Sequence, residues 1–186
     1  MEVGVPDVLS GAAAGIGLAA ACGFRVFVPL LALGLAGRFG ILPLAHGFEW
    51  LQSPAALAAF TVATVLEAAA YKIPWLDHAL DALTTPAALF AGVLSVAAVT
   101  SGLPPAVRVS LALIAGGGTA ALVQGATVLA RVKSTALTGG LANPLLAFVE
   151  LGASAVTSLL AVLAPLLGVT LVFLLCVAVV VRVARR

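Results

Sequence analysis

Long apolar runs separated by short polar breaks fill almost the whole chain. Residues 11–37 are apolar apart from Arg25 and the helix-restricting Pro29, and Arg38 closes the run. At about 1.5 Å per residue this stretch is longer than a roughly 30 Å hydrocarbon core requires, which predicts a tilt or a break near residues 23–29. Residues 39–53, with Pro43, His46, Gly47, Glu49 and Trp50, read as the first loop, with Trp50 as an interfacial anchor. Ser53-Pro54 is a cap followed by a first-turn proline and opens a second span over residues 55–71, ended by Lys72 and Pro74.

Residues 75–85 place Asp77, His78 and Asp81 beside Leu76, Leu80 and Leu83, the pattern of a short helix lying at the membrane surface. Pro86 then opens a third span, stopped by Gly102, Pro104 and Pro105. A fourth stretch over residues 107–130 contains Gly116-Gly117-Gly118, which weakens the helix or permits close packing. Arg131 and Lys133 mark its exit; a fifth span starts at Pro144 and a sixth at Pro165.

These elements predict an all-α, polytopic transmembrane bundle of about six spans in a single domain over residues 1–186. Ser53-Pro54 aligns with Asn143-Pro144, each after a long Gly-interrupted stretch. That match suggests a 3+3 inverted repeat of residues 8–102 and 105–184, a plan common among transporters. The alternative is chance alignment of Ala/Leu/Gly-rich helices.

Composition excludes a water-soluble globule. The chain is 63% hydrophobic and 9% charged, against about 45–50% apolar and about 25% charged in ordinary soluble domains. A formal net charge of +2 with scattered basic residues sets nucleic acid aside. Cys22 and Cys176 stand in separate apolar segments, so neither a CxxC metal pair nor a disulfide framework is expected. The acidic start, Glu2 and Asp7, is unlike a secretory signal. In a six-span reading, the side holding both termini carries Lys72, Arg131, Lys133, Arg182, Arg185 and Arg186, against Arg38 and Arg108 opposite. The positive-inside rule then places both termini in the cytoplasm.

Arg25, Glu67 and Glu150 fall inside predicted spans. Facing lipid unpaired, each would cost about 3 kcal/mol, so they are expected to face inward. With Gln124 they gather in one half of the bilayer and suggest a polar cavity opening to the cytoplasm, with residues 116–118 supplying exposed backbone. The alternative is a structural inter-helix ion pair with Glu67 snorkelling outward. Asp77, His78 and Asp81 could ligate a divalent cation, although a solvated amphipathic face explains them more simply. No GxSxG, HExxH or Walker sequence occurs, so hydrolase chemistry is disfavoured and no cofactor is expected.

The segment Gly23-Phe24-Arg25-Val26-Phe27-Val28-Pro29-Leu30, then Gly34-Leu35, Arg38, Glu49-Trp50-Leu51 and Ser53, leads on to Glu67, Lys72-Ile73-Pro74, Asp77-His78 and Leu80-Asp81. Together these residues resemble a family of small bacterial membrane proteins catalogued as a domain of unknown function, number forty-one twenty-six. The resemblance covers residues 23–92 and departs from the family pattern at Tyr71 and Thr85. It implies a bacterial inner-membrane location and names no reaction. The sequence as a whole points to a small channel or secondary transporter for an ion or small solute. The alternative is a non-transporting, lipid-interacting scaffold with an interfacial docking helix. The bilayer is the expected partner, and the Gly-rich faces would suit a homo-oligomer.

Overall fold

A helix rich in Gly and Ala carries little bulk to hold its neighbours away, and the first helix, α1 (Val5–Phe24), is half Gly and Ala. In this computed structural model, which describes residues 4–70 and 74–184 (without the side chains of residues 5, 70, 74–82, 179–180 and 182–184), α1 forms the axis of the bundle. Around it stand α2 (Phe27–Arg38), α4 (Pro74–Val99), α6 (Gly118–Thr138), α7 (Asn143–Leu163) and α8 (Pro165–Ala184). The remaining long helix, α3 (Pro54–Ala70), leans on the outer side of α2. Ala14, Leu18, Ala19 and Ala20 are fully buried. A Cβ at Gly15 would stand 2.8 Å from Val96 Cα of α4, and one at Gly23 would stand 2.8 Å from the Ala120 carbonyl oxygen of α6. Small residues therefore set how closely the ring approaches its axis.

The described residues are helices joined by turns, without a strand. Among them, Pro6–Phe24, Pro105–Thr138 and Asn143–Leu163 are long and apolar enough to cross a membrane. Phe27–Arg38, Pro54–Ala69, Leu83–Val99 and Pro165–Ala178 are shorter apolar helices. Large apolar side chains such as Phe90, Ile114, Leu163 and Phe173 stand open on the outside. That inversion of a soluble surface makes this a membrane protein.

The first stretch does break where expected, but it reverses instead of kinking. Pro29 falls in the first turn of α2, where its missing N–H costs nothing, and its ring excludes the Arg25 carbonyl from a continuing helix. Arg25 is accordingly extended, at φ −147° and ψ 134°. From there α2 doubles back along α1 and α7: Leu33 and Ala36 join one buried cluster with Ala14, Leu18 and Ala161. At the far end of the hairpin, the Ala45 N–H donates to the Ala98 carbonyl at 2.7 Å. This geometry corrects the reading of residues 11–37 as one span. It also brings the start of α1 and the end of α8 out at opposite ends of the bundle, whereas an even count of passes had put both termini together.

Two other boundaries differ from expectation. Residues 75–85 are not a separate surface helix, because α4 runs unbroken through Pro86. The fourth stretch also runs through, as α5 (Pro105–Leu111), a π-helical segment (Ala112–Gly117) and α6. The two stretches that an inverted repeat would equate thus behave differently, one folding back and one continuing. Gly116 and Gly117 are buried in the π segment against α4, where a Cβ at Gly116 would meet the Gly92 carbonyl oxygen at 2.5 Å. The widened turn brings Gly116 against Gly92 and Gly117 against Val93, whereas Gly118 meets nothing close by. Gly139, at φ 63°, ends α6 in the left-handed conformation that turns the chain into α7.

Replacing Gly116 by Leu is expected to cost at least about 1–3 kcal/mol or to prevent folding. Gly152→Leu, which enters open space, is expected to be neutral within about 0.5 kcal/mol. Thermal unfolding of both variants in one detergent measures the difference.

Candidate functional site

Breaking a helix inside an apolar bundle strands backbone groups that no water can satisfy, and the residues around Arg25 answer that need. The turn lies within the bundle, short of its rim. From Arg131 to the end of α6, and from Glu150 back to the start of α7, about 10 Å of helix extends past it. At the start of α2, the Glu67 carboxylate accepts the Val26 N–H at 3.1 Å and the Phe27 N–H at 3.4 Å. A carboxylate there caps two stranded donors and meets the positive end of the α2 dipole. The matching α1 end is negative, and Arg25, a cation, is its C-cap. The Ala21 carbonyl in the last turn of α1 accepts both the Arg25 N–H (3.0 Å) and the Ser154 hydroxyl (3.1 Å).

Beyond the break, α6 and α7 complete a charged cluster. Arg25 Nη2 donates to the Ala147 carbonyl at 2.9 Å and lies 3.3 Å from Glu150 Oε2. Arg131 grips the same carboxylate from two sides, through Nε to Oε1 at 3.0 Å and through Nη2 to Oε2. All four charged residues are at most 6% exposed. Among the described residues, the cluster brings two guanidinium groups and two carboxylates together. Gln124 joins its edge by donating to Thr85 Oγ1 at 3.4 Å. A cavity of about 10 Å³ lies among Arg25, Glu67, Thr84, Gln124, Arg131 and Glu150, space for about one water-sized group.

Of the residues marked in the sequence, Arg25, Glu67, Gln124 and Glu150 thus meet in one place. Gly116 and Gly117 lie higher on the bundle at the α4 contact, and Gly118 follows them into α6, so the triplet does not line this cluster. Asp77, His78 and Asp81 fall in the first turns of α4 with side chains outside the described residues, as does all of Lys72. Among the described residues, no three His, Cys, Asp or Glu side chains gather as metal ligands do. Arg131 was read from the sequence only as a flanking cation. Its spacing of seven from Gln124, two helical turns, puts both on one face and would have located it.

A second feature adjoins the cluster. Because α2 begins only at the break, none of the described residues stands between α3 and α7 beyond it, and a groove of about 360 Å³ opens there. Val65, Ala68 and Ala69 form one wall, Ala147, Phe148 and Leu151 the other, with Arg25 also on its lining.

The family described as Domain of unknown function (DUF4126) matches residues 12–186, so the likeness extends well past the first half of the chain. No curated protein and no solved structure matches.

Removing one partner of a buried charge pair is expected to cost more than removing both. Arg131→Met and Glu150→Leu singly should each destabilise by about 3–5 kcal/mol. The double variant, which restores charge balance, should lose clearly less than the sum. Thermal unfolding of the three variants in detergent reads the coupling, and additive losses would contradict the pairing.

Proposed function

The chain belongs to the DUF4126 family, and from that premise we propose that it is a secondary transporter for an ion or small solute, binding its substrate at the four-charge cluster. The observation that carries this reading is the re-entrant turn: the end of α1 and the start of α2 lie side by side inside the apolar bundle, one met by Arg25 and the other by Glu67. Capping alone needs no charge, since Ser, Thr or Asn satisfies a helix start at lower desolvation cost. Four ionisable residues within a bundle of apolar helices are the usual mark of a solute or proton path, and discontinuous helices at mid-depth are how many transporters build one. The cavity, with room for about one water-sized group, suits a carrier better than a standing channel.

The dense pairing of Arg25 and Arg131 with Glu150 favours a second reading, a non-transporting membrane protein whose cluster only locks α1, α2, α3, α6 and α7 together. Flux separates the two. Proteoliposomes loaded with a pH-sensitive dye are tested under imposed H⁺, Na⁺, K⁺ and Cl⁻ gradients. Wild-type protein is expected to carry at least one of these, and Glu67→Gln, which keeps a capping oxygen but loses the charge, is expected to slow it at least tenfold while the protein still folds. Undiminished flux in both Glu67→Gln and Arg25→Gln would remove the proposal.

Orientation follows from the reversal. Lys72, Lys133, Arg182, Arg185 and Arg186 belong to the end of the sequence order where α3, α6 and α8 finish, and Arg38 and Arg108 to the other. In a bacterial inner membrane the positive-inside rule then puts the C-terminus in the cytoplasm and the N-terminus outside. A fluorescent reporter that matures only in the cytoplasm should light up when fused after Arg186 and stay dark when fused before Met1.

A further inference from the structure

The two described carboxylates of the cluster are held in different ways. Glu150 is gripped on both oxygens by Arg131 and approached by Arg25 at 3.3 Å. A proton on Glu150 would displace a charge-assisted bond, so its partners demand the charged form. Glu67, equally buried, forms no direct ion pair among the described residues. Its oxygens accept two neutral backbone donors instead, Val26 N–H on Oε1 at 3.1 Å and Phe27 N–H on Oε2 at 3.4 Å. From this asymmetry we infer that the ligand bound at the cluster is the proton, and that Glu67 is the group that holds it.

Protonation leaves the turn standing. A carboxylic acid keeps a carbonyl oxygen, so Oε1 still caps the Val26 N–H while Oε2, the oxygen with the longer bond, takes the proton. Uptake breaks one O–H bond of a hydronium ion, forms one at Oε2 and leaves a neutral water. The cavity of about 10 Å³ beside Glu67 has room for that water, and Glu150, Gln124 and Thr84 on its lining are polar partners for it.

Room and charge both select the proton over other ions. A metal cation or a halide would fill the one water-sized space and enter without its hydration shell. The cation would then lie against Arg25 and Arg131, which line the same cavity, and the halide against Glu67 and Glu150. A proton occupies no space and ceases to be a separate charge on joining a carboxylate, so neither repulsion arises. Buried acids serve as proton relays in membrane pumps and transporters. The groups that face Glu67 are Arg25 from the turn, Arg131 from α6, Glu150 from α7, Thr84 from α4 and Cys22 from α1. The side chains of Asp77, His78 and Asp81 on α4 lie outside the described residues. The inference rests on the transporter reading for what happens after binding, but proton uptake is measured without flux.

Glutamate occurs only as Glu2, Glu49, Glu67 and Glu150, so the full-length protein labelled with carbon-13 at the glutamate side-chain carboxyl gives few signals by solid-state magnetic resonance in neutral lipid bilayers. Glu67→Asp, which keeps the acid and removes the label, assigns its signal. Glu2→Gln, Glu49→Gln and Glu150→Asp make the same assignment by elimination should Glu67→Asp not fold. On acidification the Glu67 signal is expected to pass reversibly from the carboxylate to the carboxyl position while the Glu150 signal stays, with the same midpoint in sodium chloride as in N-methylglucamine gluconate. A Glu67 signal fixed in either form until the protein unfolds, or Glu150 changing in its place, would overturn the inference. So would a midpoint that moves at least tenfold in proton concentration on adding Na⁺, K⁺ or Cl⁻, because that ion would then compete for the site. Proton uptake at Glu67 without flux in proteoliposomes would uphold the site and count against transport alone. Flux of Na⁺, K⁺ or Cl⁻ with Glu67 fixed would uphold transport and remove the proton, so the two claims fail separately.

Discussion

A backbone that turns inside hydrocarbon must find partners for its freed N–H and C=O groups within the protein, and this fold is arranged around one such turn. Pro29 forbids α1 from continuing, Arg25 takes an extended conformation, and Glu67 arrives from α3 to accept the two N–H groups that begin α2. The negative charge brought in to cap α2 is costly unless cations lie near, and Arg25 and Arg131 supply them. Glu150 is held by both arginines. The requirement at one peptide thereby ties together the ends of helices far apart in sequence. Because the turn sits short of the rim, it also leaves the lateral groove that ends at Arg25.

Packing elsewhere serves the same centre. The Gly/Ala face of α1 lets α4, α6 and α7 close around it, and the close approach of Gly92 to Gly116 fixes the π segment at a height well above the charges. The short α2, the outlying α3 and the groove between α3 and α7 make that side of the bundle the least constrained.

Much of this was legible in the residues. The cost of a bare charge in lipid was enough to turn Arg25, Glu67, Gln124 and Glu150 toward a common interior, and the position of Pro29 was enough to place the break. The direction taken after the break was not legible, because an apolar run reads the same whether its second part continues across the membrane or returns along the first. Arg131 was obscured by its position near a span end, where cations usually mark orientation. Pro86 misled because a proline inside a membrane helix is tolerated when neighbours supply the lost contacts, so it marked no boundary between a surface helix and a span. The triple glycine did signal close approach, but the partner, Gly92 on α4, lay outside any local pattern.

The central claim is the reversal at Arg25 and Val26, and the distance between its two arms tests it most directly. Leu9 on α1 and Leu35 on α2 are both open to the outside and can be changed to cysteine and spin-labelled, with Cys22 and Cys176 replaced by alanine. Helices packed side by side, with axes about 8–10 Å apart, predict a mean label separation under about 25 Å by pulsed electron resonance in nanodiscs. A separation near 40 Å, about that of an uninterrupted helix between the two positions, would contradict the account.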